Sequence, residues 1–288
     1  MDANKMNIQW YPGHMTKTRR QIEADLKLVD AVCEIVDARI PVSSRNPDID
    51  SICGNKPRII ILNRMDLADP EATKKWLSYF RGLGVAAVAT DCKSKKGIGG
   101  FENAVRSVLK EKIERNAAKG MNKPLKIMIV GIPNVGKSTF INQISGRKGA
   151  KAENRPGVTR GKQWVTVNSS LLLLDTPGIL WPKFENPTMG MMLAYTGAVK
   201  ENVIDVEELA YHLMELMHKY YPQALADRYN ISAPESTPGY ELIELAGRRR
   251  GFLVSGGEVN TERMAKVFLD EYRVGKLGRF TFELPEDL

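Results

Sequence analysis

Short apolar runs, each closed by turn-forming residues and followed by a stretch of helical spacing, recur along the first two-thirds of the chain. Residues 31–36, 58–62, 85–89, 126–130 and 171–174 read as strands, and 164–167 as a further, edge-like one. The first five are near-continuous apolar runs. A strand buried on both sides has no polar face to show, so a mostly parallel sheet with helices on both faces is expected. Helices are expected at 74–80, 101–115 and 137–144, the second carrying Val105, Val108, Leu109 and Ile113 on one face.

After residue 186 the strand pattern stops. Asp205-Val206-Glu207-Glu208 resembles a capping box, and Leu209, Leu213, Leu216, Met217 and Tyr220 follow it at helical spacing. Met264, Val267, Phe268 and Tyr272 repeat the pattern behind Asn260, a good N-cap. Both stripes read as core. The expected organisation is an α/β domain over 1–185, with an N-terminal extension at 1–28, and a smaller all-helical domain over 186–288. The 288 residues suit two domains.

Charge follows the same division. The net formal charge of +8 splits into +13 over 1–185, −6 over 186–246 and +1 over 247–288. The basic part suits a polyanion. Cys33, Cys53 and Cys92 are too few and too scattered for a disulfide framework or a zinc site. No apolar stretch reaches the ~18 residues of a membrane span and no signal-peptide core is visible. A cytoplasmic protein with reduced thiols, and no membrane partner, is the expectation.

The chemistry begins at Gly131-Ile132-Pro133-Asn134-Val135-Gly136-Lys137-Ser138, a complete G-x-x-x-x-G-K-[ST] loop between an expected strand and an expected helix. Such a loop wraps phosphates with backbone N–H groups, and Gly131, Asn134, Val135, Gly136 and Thr139 lie along that path. Lys137 reaches the β- and γ-phosphates, and Ser138 is the Mg²⁺ ligand. Asn63-Arg64-Met65-Asp66 then selects the base: an aspartate carboxylate accepts from the N1–H and exocyclic amine of guanine, a pair of donors adenine does not present. Arg64 stands where this motif usually has lysine, and its stem or guanidinium is expected to cover the base face. Asp91 and Cys92, in Thr90-Asp91-Cys92-Lys93-Ser94, occupy the place of the second base-flanking loop. Asp175-Thr176-Pro177-Gly178 resembles the switch in which the aspartate holds Mg²⁺ through water and the glycine amide senses the γ-phosphate. Thr159, in Arg155-Pro156-Gly157-Val158-Thr159-Arg160-Gly161, is the expected Mg²⁺ and γ-phosphate ligand of the first switch.

The order of these motifs is unusual. The base-reading loops precede the phosphate loop, as in a circularly permuted domain whose old termini are joined, here through residues 116–124. Asp175–Gly178 then leads almost directly into the helical region, which could feel the nucleotide state. The permuted order, together with Trp10-Tyr11-Pro12-Gly13-His14-Met15 and Asp37-Ala38-Arg39-Ile40-Pro41, closely resembles the YlqF/RbgA family of circularly permuted P-loop ribosome biogenesis GTPases, over essentially the whole chain. The resemblance implies a GTP-hydrolysing factor in late maturation of the large (50S) ribosomal subunit. It would bind the precursor, rRNA and nearby ribosomal proteins in a GTP-dependent manner and be released after hydrolysis. Neither DNA nor a membrane is an expected partner.

Where many GTPases place a water-orienting glutamine, this chain has Ile179. The resemblance points instead to His14, acting with Lys137 and Thr159, and implies slow turnover until the ribosome is engaged. Asn134 resembles the K⁺ ligand of potassium-dependent relatives. For RNA phosphates, Lys17 to Arg20, Lys93 to Lys96, Arg147-Lys148 and Arg248 to Arg250 are candidates. The residues leave two alternatives: a GTPase with a client other than the ribosome, and a nucleotide-dependent binding module without meaningful turnover, which Ile179 favours.

Overall fold

In a computed structural model of the chain, the described residues are 15–146, 163–178, 180, 187–199 and 205–288. They divide into two compact units: a sheet unit that also takes in Thr281–Leu288, and a helical unit that runs to Phe280.

In the sheet unit, α1 (Met15–Asp25) leads to β1 (Ala31–Asp37), followed by α2 (Asp48–Cys53), β2 (Arg58–Asn63), α3 (Pro70–Gly82), β3 (Ala86–Thr90), α4 (Gly100–Val108), α5 (Lys110–Ala118), β4 (Leu125–Val130), α6 (Lys137–Ser145), β5 (Gln163–Asn168) and β6 (Leu171–Asp175). The strand order is β3-β2-β1-β4-β6-β5. All neighbours are parallel except the edge strand β5, which runs antiparallel to β6. One face of the sheet packs against α1, α2 and α3: Ile22 and Leu26 meet Val32, Met128, Val130 and Leu174, while Trp76 and Phe80 meet Val36, Ile60 and Leu62. Residues of the opposite parity, such as Ile35, Ile61 and Ile129, are fully buried too. Their face is covered by α4 and α6, whose Phe101 and Phe140 rings meet edge to face at 5.2 Å.

The long helix expected at 101–115 is two. Leu109 leaves the helical region at φ −108, ψ 17, although its N–H still reaches the Val105 carbonyl. The connection at 116–124 is shorter than expected, because α5 continues through Ala118.

The helical unit holds α7 (Pro187–Tyr195), α8 (Val206–Tyr220), α9 (Pro222–Tyr229), α10 (Gly239–Arg249) and α11 (Thr261–Val274). Asp205 caps α8 by accepting from the Glu207 and Glu208 N–H groups, and Asn260 caps α11 from the Arg263 N–H. Leu209, Leu213 and Met217 on α8 share a core with Leu242, Ile243, Met264 and Phe268. Tyr220, the end of the expected stripe, is exposed, and Met214 is buried in its helix instead.

Thr281–Leu288 lies on the sheet unit because its polar groups find partners there. The Phe282 N–H donates to the Arg39 carbonyl at 3.1 Å, and the Trp76 indole N–H donates to the Glu283 carbonyl at 2.8 Å. The Glu283 carboxylate accepts from the Val42 and Ser43 N–H groups.

Candidate nucleotide site

Every described motif residue sits at the carboxyl ends of parallel strands, where open α/β sheets bind ligands. The phosphate loop follows β4 and closes on α6. Its turn depends on Gly131 and Gly136, at φ +151 and +101. A β-carbon on Gly131 would stand 2.5 Å from the Ile35 carbonyl oxygen, so a side chain there would push the loop off the neighbouring strand.

Lys137 begins α6, is buried, and turns its Nζ back onto the Gly131 and Ile132 carbonyls at 2.9 and 2.7 Å. Burial brings its pKa down to about 8, against which the Asp175 carboxylate acts weakly. Burial likewise pushes the Asp175 carboxyl up, partly offset by Lys137 and by the Thr176 N–H. Burial thus disfavours the charged form of each, and ligand charge of the opposite sign would favour it again. The Asp175 Oδ1 is buried without a hydrogen-bond partner. An orphaned acceptor of this kind fits a hydrated Mg²⁺. The Thr176 hydroxyl anchors this loop to the Ile129 carbonyl at 2.8 Å. At Gly178 a β-carbon would come within 2.9 Å of Lys137 Nζ and the Pro133 backbone, so its lack of a side chain lets the two loops touch.

A pH dependence follows. Below pH ~8 Lys137 is already charged and nucleotide binding needs no proton; above it, binding must take one up, and affinity falls by about tenfold per pH unit. Calorimetry of GDP binding in buffers of different ionisation enthalpy should therefore show proton uptake that grows as pH rises above about 8, and close to none from this lysine at pH 6.5. Uptake that stays equal across that range would place the lysine's pKa elsewhere. For the nucleotide-free protein the sign is opposite. The unfolded chain holds the lysine proton up to pH ~10.4, so stability rises with pH between about 8 and that value.

Asn63 knits the loops together. Its Nδ2 donates to the Val135 carbonyl at 2.8 Å, and its Oδ1 accepts from the Thr90 hydroxyl and the Cys92 thiol, both at 3.1 Å. Burial pushes the Cys92 thiol up to about 12, so it remains a neutral donor. Arg64, at φ +61, sends Nη2 to the Asn134 carbonyl at 2.5 Å and Nη1 to Asp37 at 3.3 Å. The guanidinium therefore ends on the phosphate loop, and the alkyl stem is what remains to cover a base. The Met65 N–H donates to the Thr90 carbonyl at 3.1 Å. Asp66 is half-buried, and its carboxylate hydrogen-bonds to no described residue, so both oxygens remain available to a base. Asp91 instead folds onto its own loop, accepting from the Lys93 N–H and the Ser94 hydroxyl; burial opposes ionisation, but these bonds hold its carboxyl below the usual range.

His14, Thr159 with its Pro-Gly loop, Ile179 and Arg147-Lys148 lie outside the described residues. The helix that follows His14 does have a position: Arg19, one turn into α1, bonds Asp48 at the head of α2. Of the basic runs, Lys93, Lys95 and Lys96 are exposed beside the base loop. Arg248 pairs with Glu244, and Arg250 reaches both Glu271 and the Phe252 ring.

Sequence reading attached no role to Asp37, Arg39 or residues 281–288. The Asp37–Arg39 segment is marked in the sequence only as part of a family resemblance, and the bonds of Glu283 join positions about 240 residues apart, which no local pattern marks.

A mostly parallel sheet, a phosphate loop with its lysine and a base-reading loop bonded to it define a P-loop GTPase, assembled in permuted order. Residues 126–232 match the family described as "50S ribosome-binding GTPase". The ribosome biogenesis GTPase A of Priestia megaterium is 48% identical, the match covering 98% of each chain. Mitochondrial ribosome-associated GTPase 1 of Xenopus tropicalis is 32% identical over 93% of this chain and 92% of its own. The crystal structure of GNP-bound YlqF from Thermotoga maritima superposes with a TM-score of 0.64 at 30% identity, covering 94% of this chain and all of that one. The chain belongs to the YlqF/RbgA family of ribosome biogenesis GTPases. GTP is its substrate, with Mg²⁺ the metal typical of the class. Among the described residues no helix is long and apolar enough to cross a membrane.

Proposed function

We propose that this chain hydrolyses GTP as an assembly factor in late maturation of the large ribosomal subunit, binding the precursor through rRNA and nearby proteins in its GTP form and leaving after hydrolysis. The observation that carries this reading is the chain order: Asp175–Gly178, the segment that meets Lys137 and the phosphate loop, shortly precedes the residues of the helical unit in the sequence. Contacts to the γ-phosphate are lost on hydrolysis, so the conformation following Gly178 can differ between GTP and GDP. The family matched by residues 126–232 is one of 50S ribosome-binding GTPases, which favours the 50S subunit as partner.

In this reading the loop N–H groups and Lys137 hold the phosphates, and Ser138, Asp175 through water and Thr159 hold Mg²⁺. Asn134 is a K⁺ ligand, and a monovalent cation there supplies charge that other systems take from an arginine finger. His14 orients the attacking water. The GTPase domain of 1–185 is joined by Thr281–Leu288, which corrects the expected 186–288 boundary, and the helical domain docks on the ribosome. Lys17 to Arg20, Lys93 to Lys96, Arg147-Lys148 and Arg248 to Arg250 are the proposed phosphate contacts.

Steady-state GTP hydrolysis in KCl, with and without purified large subunits or their precursors, tests the assignment. Strong stimulation is expected. His14→Ala should reduce the stimulated rate by about 10²-fold or more, and NaCl in place of KCl should lower it. Absence of stimulation by mature and precursor particles alike would reject the ribosomal client. Full stimulation of His14→Ala would reject the histidine.

A further inference from the structure

Asp37 ends β1 between the strand that feeds the phosphate loop and the strand that feeds the base-reading loop. Its side chain is 3% exposed and that of Arg39 is 1% exposed. Arg39 gives the carboxylate three donors: its backbone N–H at 3.0 Å, Nε at 3.0 Å and Nη2 at 2.8 Å. The turn is pinned from outside, because Phe282 donates to the Arg39 carbonyl and the Thr281 hydroxyl to the Ala38 carbonyl. Burial alone would drive the carboxyl toward neutrality, but the two guanidinia hold it below the ordinary range. Its remaining reach goes to Arg64, whose other nitrogen lies on the Asn134 carbonyl.

We propose that Asp37, backed by Arg39, is a positioning residue for nucleotide binding: it fixes the Arg64 guanidinium so that one side chain bridges the base-reading loop and the phosphate loop before the nucleotide arrives. Arg64 needs such a partner. It is partly exposed, long and flexible, and its backbone already sits in the left-handed region. Without Asp37 the guanidinium would lose one of its anchors and more of its ordering would fall on the binding step, which lowers affinity. The planar fork of arginine can satisfy an oxygen on each side in fixed geometry, which a lysine ammonium at this position could not do as well. Asp37 acts through Arg64 and touches no phosphate, so its effect belongs to binding rather than to the hydrolytic step.

This inference rests on Asn63–Asp66 reading guanine, and a double-mutant cycle separates the two. GDP dissociation constants are measured for wild type, Asp37→Asn, Arg64→Ala and the double variant, together with kcat at saturating GTP. Each single change is expected to weaken GDP about tenfold, the double no more than Arg64→Ala alone, and Asp37→Asn to keep kcat within about twofold. Additive losses near a hundredfold, unchanged affinity in Asp37→Asn, or a fall in kcat instead of affinity would each overturn the proposal. Because Asp37→Asn leaves a buried guanidinium short of charge, the cycle is repeated with Asp37→Asn/Arg39→Gln, whose paired amides keep the turn neutral. Asp66→Ala is the separate control: if it binds GDP as wild type does, the guanine reading itself fails, whatever the cycle shows.

Discussion

Asp66→Asn is expected to reverse base preference from guanine to xanthine. A carboxylate offers two acceptors to the N1–H and exocyclic amine of guanine, whereas an amide offers one acceptor and one amine. The amine then faces the guanine amine, donor against donor, and a charge-assisted bond is lost as well. Xanthine carries a carbonyl at that ring position and accepts what guanine repels. A lost bond to a charged group costs about 1.5–3 kcal/mol, and an unmatched donor adds a similar amount, so guanine affinity should fall by about 10²-fold or more. The structure makes the exchange clean. The Asp66 carboxylate has no hydrogen bond to any described residue, while its loop is held by other atoms, Met65 N–H to Thr90 and Leu67 N–H to the Arg64 carbonyl at 2.9 Å. Competition between GDP and xanthosine diphosphate reads the outcome. A retained guanine preference would mean that Asp66 does not face the base.

The same division between local chemistry and distant pairing explains what could be read from the sequence. The sheet was legible because its strands are buried on both faces and therefore written as apolar runs, and β5 stood apart because Gln163–Asn168 is partly exposed. The phosphate loop and Asn63–Asp66 were legible because backbone wrapping and base selection need fixed residue types at fixed spacing. Five of the described helices, α1, α2, α7, α9 and α10, were not. α1 buries only Ile22 and Asp25 fully among its side chains described at 19–25, too little to set a period, and α7 is apolar almost all round, which erases one. The pairing of Asn63 with Val135, 72 residues on, has no local signature. Nor has the final turn of the chain. Glu283 looks like any surface glutamate until the Val42 and Ser43 N–H groups are placed beside it.

The pairing of Asn63 with the phosphate loop sets the cost of a single methyl at Gly136. This residue stands at φ +101, ψ 19, and a β-carbon on it would lie 2.3 Å from Asn63 Nδ2. Asn63 cannot retreat. It is 2% exposed, with Thr90 and Cys92 on its oxygen and Val135 on its nitrogen. Gly136→Ala must therefore strain the backbone, break the bond to Val135, or move the loop that carries Lys137. Strain in the left-handed region costs about 1–3 kcal/mol and a buried donor left without its partner about the same. The nucleotide-free protein should lose about 2–4 kcal/mol in a denaturant titration, and GDP and GTP should each bind at least about 10²-fold more weakly, since phosphate and base loops are displaced together. Gly146→Ala is the matched control. Its φ of +66 imposes similar backbone strain at the other end of α6, but no atom of the described residues lies within 4 Å of the added carbon. It should cost about 1 kcal/mol of stability and leave nucleotide affinity unchanged. Equal affinities in the two variants would show that the Asn63 contact does not couple the loops, and that Gly136 matters only for its backbone.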